Sequence, residues 1–158
     1  MIQEHNKLIN SREYKNWKSK NKNAYLSSCV LINEPGTKEL WHFDFYLQKS
    51  NKITTFIVDE NINMEEDQKI FEQSHKKLKK INLDEIKFDL ADVHEFINKN
   101  FSDKKFLKII IILQNLKTLL WNLSLLGNDF NLINVKVDAK TGKVIEQSTT
   151  SMLQFKAS

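Results

Sequence analysis

Cysteine, proline, glycine and arginine are all scarce in this chain of 158 residues. Its single cysteine, Cys29, excludes an intramolecular disulfide and a cysteine-based zinc site, so neither holds the fold together. One proline and three glycines leave little room for flexible linkers. Arg12 is the one arginine among 24 basic residues, and nucleic-acid sites favour arginine's planar fork. That scarcity argues against a dedicated reader of bases, although a lysine- and asparagine-rich codon bias gives the same imbalance. Long apolar runs are missing too. Ile109–Leu113 is the longest, far short of the roughly 20 residues that span a bilayer. Met1-Ile-Gln-Glu-His-Asn6 shows no basic start leading into an apolar core, so no signal peptide is visible. A soluble, cytoplasmic protein with no membrane span is expected.

With 41% hydrophobic and 28% charged residues, the composition is that of an ordinary globular protein. The length fits one domain, or two small ones that lean on each other. A net charge of +4 is mild. The organising stretch is Leu119–Val144, because the chain resembles itself there: Leu40-Trp41 recurs as Leu120-Trp121, eighty positions on. The same slide pairs Val30-Leu-Ile32 with Ile110-Ile-Ile112 and needs no gap from Ala24 to Gln48. Removing one residue in the next turn pairs Val58-Asp59 with Val137-Asp138. Period-two patterns align by chance, yet the shared Leu-Trp and the closing Val-Asp favour a duplication.

Ser11 can cap a short helix carrying Tyr14 and Trp17 on one face. Tyr25–Asn33 alternates and is rich in β-branched residues, which predicts a strand. Glu34-Pro-Gly-Thr37 is a turn signal, and the strand after it has Trp41, Phe43, Phe45 and Leu47 on one face. His42, Asp44 and Tyr46 fall on the other. Lys49-Ser-Asn-Lys52 turns the chain into a third strand through Phe56 and Val58. Asn63 with Glu66 resembles a helix-starting box, and Met64 to Ile81 carries Ile70, Phe71 and Leu78 on a broad face; an amphipathic connector helix is expected there. Asp89 can cap a helix with Leu90, Val93, Ile97 and Phe101 in one stripe. The strand from Phe106 is apolar on both faces, as in strands covered on both sides, so it is expected to be central.

The helix Asp89–Phe101, the Trp121 strand and Val135-Lys-Val-Asp-Ala-Lys-Thr-Gly-Lys-Val144 together resemble a PepSY domain, over about residues 85–147. The first half follows only in pattern, because Asp59-Glu-Asn-Ile62 lacks the Thr-Gly turn. The resemblance implies a helix packed on a curved antiparallel sheet, and a binding or inhibitory role rather than catalysis. The expected fold is α+β: two tandem αβββ repeats, each a helix on a three-stranded antiparallel meander (PepSY/cystatin-like), joined by the amphipathic helix. The expected division is a first repeat over 1–62, a connecting helix over 63–84, a second repeat over 85–149 and a loose tail over 150–158. The two repeats share one core, since separate halves would each be marginal.

No Ser-His-Asp order or carboxylate pair stands out, so a non-enzymatic protein without catalytic residues, cofactor or metal is expected. His42 and Asp44, two apart on one strand face, could present two ligands to a metal, but solvent-facing polar residues give the same pattern. Cys29 has apolar neighbours and reads as a buried, inert thiol. Lys140-Thr-Gly-Lys143 lacks the spacing of a phosphate loop and runs from strand to strand. The residues expected at an interaction surface are His42, Asp44 and Tyr46, with Lys76, Lys77, Lys79 and Lys80 of the basic run. The leading expectation is a module that binds a protein or peptide partner, possible as a peptidase inhibitor, with strand addition at a sheet edge as one route. The alternatives are a nucleic-acid binder using those lysines, and a small-molecule sensor with a pocket between helix and sheet. A homodimer is also compatible with the sequence.

Overall fold

Alternation of apolar and polar residues sets β1 (Tyr25–Asn33), β2 (Leu40–Leu47) and β3 (Lys52–Val58). The computed structural model describes residues 1–69 and 77–156. Two short helices precede these strands, α1 (Ile2–Asn10) and α2 (Arg12–Lys20). They break at Ser11, whose hydroxyl oxygen accepts from the Tyr14 amide at 3.1 Å as the N-cap of α2. A fourth strand, β4 (Ile62–Lys69), pairs with β3. After a 3-10 turn at Leu83–Glu85 comes α3 (Leu90–Asn100). Its Asp89 accepts from the Asp92 amide while Asp92 accepts from the Asp89 amide, a reciprocal capping box. Then follow β5 (Phe106–Asn115), β6 (Leu119–Gly127), β7 (Asn131–Asp138) and β8 (Val144–Ser151), closed by a 3-10 turn at Met152–Lys156.

All of these strands belong to one antiparallel sheet in the order β4-β3-β2-β1-β5-β6-β7-β8. The join lies at the centre, where β1 pairs with β5 and Leu31 sits opposite Ile111. One face of the sheet holds the core. Phe43, Phe56, Leu113, Trp121, Leu123 and Val135 are wholly or almost wholly buried there, with Leu8 and Trp17 from the first helices and Val93 and Ile97 from α3. Around Trp17 and Phe56 the ring centroids approach to 5.2 Å at 79°, an edge-on packing that suits the aromatic quadrupoles. Trp121 Nε1 donates to the Phe88 carbonyl at 2.8 Å, so the largest buried side chain leaves no polar atom unpaired.

Several expectations are overturned. The fold is a single eight-stranded sheet, not two tandem αβββ repeats with a helix on a three-stranded meander. Residues placed in a connecting helix over 63–84 begin instead as β4, where Met64 pairs with Phe56 and Ile62 with Val58. This edge strand leaves one backbone flank open and the side chains of Glu65 and Glu66 in water, so helix-favouring residues are tolerated and composition misleads there. Ile70 and Phe71 of that expected helix lie outside the described residues. The expected tail begins inside β8, which extends to Ser151. Nor does the gapless eighty-residue slide survive. Trp41 pairs with Leu31, but Trp121 pairs with Leu113 and not with Ile111, because the hairpin loop is Glu34–Glu39 in one case and Leu116–Thr118 in the other.

The turn after β7 carries its own chemistry. Asp138 accepts from the amides of Lys140 and Thr141 at 2.8 and 2.9 Å, and Gly142 has φ of 73°. A Cβ at Gly142 would lie 2.6 Å from Phe88 Cδ2, whereas at Gly36, with φ of 80°, it would meet nothing within 4 Å. Gly142→Ala is therefore expected to lower stability by about 1–3 kcal/mol, and by more than Gly36→Ala, in urea unfolding followed by tryptophan fluorescence.

Candidate functional site

The helices cover one side of the sheet only. Among the described residues no second layer covers the other side, and its centre is apolar. Val30 pairs with Ile112 and Ile32 with Ile110, all four half-buried and all pointing away from the core. The Val30–Ile112 pair continues outward to His42 and Ile57 on one flank and to Asn122 and Lys136 on the other. An aliphatic strip one pair wide on each side of the β1–β5 seam is thus bordered by polar side chains. Fully burying such a side chain is worth about 1.5–3 kcal/mol, so the strip is an unspent source of binding energy.

The polar borders are held in place by cross-strand hydrogen bonds. Asp44 accepts from Ser28 Oγ and from Thr55 Oγ1, both at 2.6 Å, one at each carboxylate oxygen. On the opposite flank Ser124 Oγ donates to Asn134 Oδ1 at 2.9 Å, and Lys136 pairs with Glu146 at 2.9 Å. With each Asp44 oxygen already engaged, this carboxylate is built as a fixed border group. Among the described residues no three or more His, Cys, Asp or Glu side chains gather as a metal site.

Of the residues expected at an interaction surface, His42 and Asp44 lie half-exposed on this uncovered face. Tyr46 does not take part: it is 2% exposed, and its hydroxyl donates to Asn51 Oδ1 at 2.8 Å. Lys77, Lys79 and Lys80 are exposed, but they stand in irregular chain before Ile81 and not on a helix. Lys76 lies outside the described residues. Val30, Ile32, Ile110 and Ile112 were legible only as strand residues. A run apolar on both faces reads as covered on both sides, yet here the second side is bare. The expected central position of β5 holds, since it pairs with β1 and β6.

A separate cleft of about 850 Å³ opens on the helical side, between α1, α2 and the stretch from Lys80 to Glu85. Its polar lining includes His5, Tyr14, Lys18 and Lys80 together with the carboxylates of Asp84 and Glu85. Burial pushes the Lys18 ammonium below its ordinary range, helped by the nearby charge of Lys80. The Lys18 amine donates to the carbonyls of Lys22, at 2.9 Å, and Ala24. His5 packs against Phe43, with ring centroids 5.5 Å apart, and burial lowers its pKa. Cys29 is wholly buried beneath the helices, and burial pushes its thiol far up.

Two measurements check these environments. The His5 imidazole, followed by NMR, is expected to titrate below 6.5. Because the unfolded chain then binds the extra proton first, this group's contribution to stability is present above that value and falls as the pH drops through it. Cys29 is expected to resist an aromatic disulfide reagent at pH 8 in the folded protein and to react fully in denaturant.

No protein-family model matches the chain, and no curated protein matches it. The PepSY resemblance accordingly gains no support, and the continuous sheet departs from the tandem arrangement it implied. Among the described residues no helix is long and apolar enough to cross a membrane. In fold the chain is similar to the crystal structure of a candidate lipoprotein from Clostridium difficile 630, with a TM-score of 0.56 and 14% sequence identity. The match covers 87% of this chain and 90% of the other, and the similarity is one of fold alone.

Proposed function

We propose that this is a non-enzymatic binding protein whose uncovered sheet face receives a protein or peptide partner. The observation that carries the reading is the strip Val30, Ile32, Ile110 and Ile112, left half-exposed at the middle of a sheet whose other face carries the helices and the core. Protein interfaces place an apolar centre inside a polar rim, and the His42–Asp44 and Asn122–Ser124 borders supply such a rim. The face is broad and shallow. A hollow of about 260 Å³ lies off the strip between Asn122, Lys136 and Ser148, so the strip itself suits a macromolecular surface better than a small ligand. The cross-strand bonds to Asp44 and Asn134 fix the rim before any partner arrives, so little ordering accompanies binding.

The test compares the native chain with Ile32→Lys/Ile110→Lys as immobilised bait in native lysate at near-physiological salt. The native chain is expected to retain a discrete protein that the double variant loses, with affinity for the purified partner reduced by about tenfold or more, or about 1.4 kcal/mol. Equal thermal unfolding of the two baits would show that the sheet is intact. Retention of the same proteins by both, or of none by the native chain, rejects the reading.

A further inference from the structure

The two outer edges of the sheet differ in chemistry. β4 carries the consecutive acidic residues Glu65 and Glu66, a common defence of an open edge against unwanted pairing. β8 is the less defended edge: a register shift opposite Lys136–Val137 bulges it near its start, but no acidic pair guards it. It is eight residues long, exposed along almost its whole length, and free of proline. Its one charged residue, Glu146, is paired with Lys136 of the neighbouring strand at 2.9 Å. Four of the chain's exposed large apolar side chains sit at its two ends. Val144 and Ile145 are 46% and 50% exposed at the start; Met152 and Leu153 are 39% and 53% exposed just after the finish. Phe130, 48% exposed, lies beside the latter pair, its carbonyl accepting from the Met152 amide at 2.9 Å.

We infer that β8 pairs antiparallel with β8 of a second copy of this chain, about a twofold axis at Ser148. An isologous contact sets the beginning of one strand against the end of the other. With Ser148 opposite itself, Gln147 falls opposite Thr149 and Glu146 opposite Thr150, and Val144 and Ile145 lie where the mate's chain passes from Ser151 into its 3-10 turn at Met152–Lys156. The apolar residues at both ends of the strand are then covered in two equivalent clusters, and neither carboxylate faces its own kind. A foreign strand has no such reason to match both ends. The open backbone groups of β8 gain partners, and the acidic β4 edges stop growth at two copies. This association is independent of the reading of the uncovered face, because the axis stands at the far edge of the sheet from the Val30–Ile112 strip. A lone strand ladder with two small apolar clusters is below the standard interface size, so a dissociation constant of about 10⁻⁵–10⁻³ M is expected.

Sedimentation equilibrium of the full chain at rising concentration, to about 1 mM, is expected to show the mass moving from 18.6 kDa toward twice that value. Ser148→Lys, on an exposed site that leaves folding intact, sets two ammonium groups face to face and is expected to keep the chain monomeric throughout. Ser148→Cys should form a disulfide-linked dimer under mild oxidation, since directly opposed residues in antiparallel strands lie about 4.5–5.5 Å apart at Cα. Cys29 is buried and does not compete. Glu66→Cys, on the other edge, should not crosslink. A mass that stays at the monomer value, a dimer that survives Ser148→Lys, or equal crosslinking at the two edges would each overturn the inference. If Ile32→Lys/Ile110→Lys abolished the dimer, the uncovered face would be the self-association surface and β8 would not.

Discussion

The structure depends on one pairing, that of β1 with β5. The other ladders are all between strands consecutive in sequence, from β1 to β4 and from β5 to β8. Among the described residues, the ladder from Ser28–Gln114 to Asn33–Ile109 is the one strand pairing that ties the early strands to the late ones. That explains the gradient across the sheet. At the seam both faces of the strands are aliphatic, because each residue there must hold together parts that have no other contact of comparable size. Toward the edges the side chains turn polar and exposed, as at Asn63, Glu65 and Glu66 of β4 and from Glu146 to Thr150 of β8.

The same gradient decides which parts of the fold were legible in the sequence. Elements with a local signal were: Ser11 and Asp89 as caps, Glu34-Pro-Gly-Thr37 as a turn, and the alternation of Trp41, Phe43 and Phe45. The edge strands were not. β8 is exposed on both sides from Val144 to Thr150, so no apolar alternation marks it, and in β4 Asn63 with Glu66 imitates a helix start that the β3–β4 ladder overrides. The eighty-residue likeness misled because sequence alignment is blind to register. Loops of different length shift the ladder by two residues while leaving the inward-outward pattern intact, since the side-chain period is two.

The candidate face was half legible for a related reason. His42 and Asp44 declared themselves by alternating with buried aromatics. Val30, Ile32, Ile110 and Ile112 did not, because a β-branched run looks the same whether its second side meets protein or solvent. Tyr46 broke the pattern from the other direction: it shares the strand face of Asp44, yet packs edge-on against Tyr25 at 5.6 Å and is lost to the surface. What fixes the face is its hydroxyl bonding, with Ser28 and Thr55 on Asp44 and Ser124 on Asn134, and side-chain partners of that kind are not encoded in periodicity.

The order in which the chain is synthesised exposes the cost of its central seam. β1 is complete at Asn33, but its second neighbour begins only at Phe106. At about 5–20 residues per second, translation leaves that flank of β1 without its mate for about 4–15 s. During this interval the nascent polypeptide displays an aliphatic, hydrogen-bond-hungry border that any extended segment can occupy. Ribosome-associated holdases, or simple spacing between neighbouring ribosomes, would matter more to this protein's yield than the modest stability of any single hairpin.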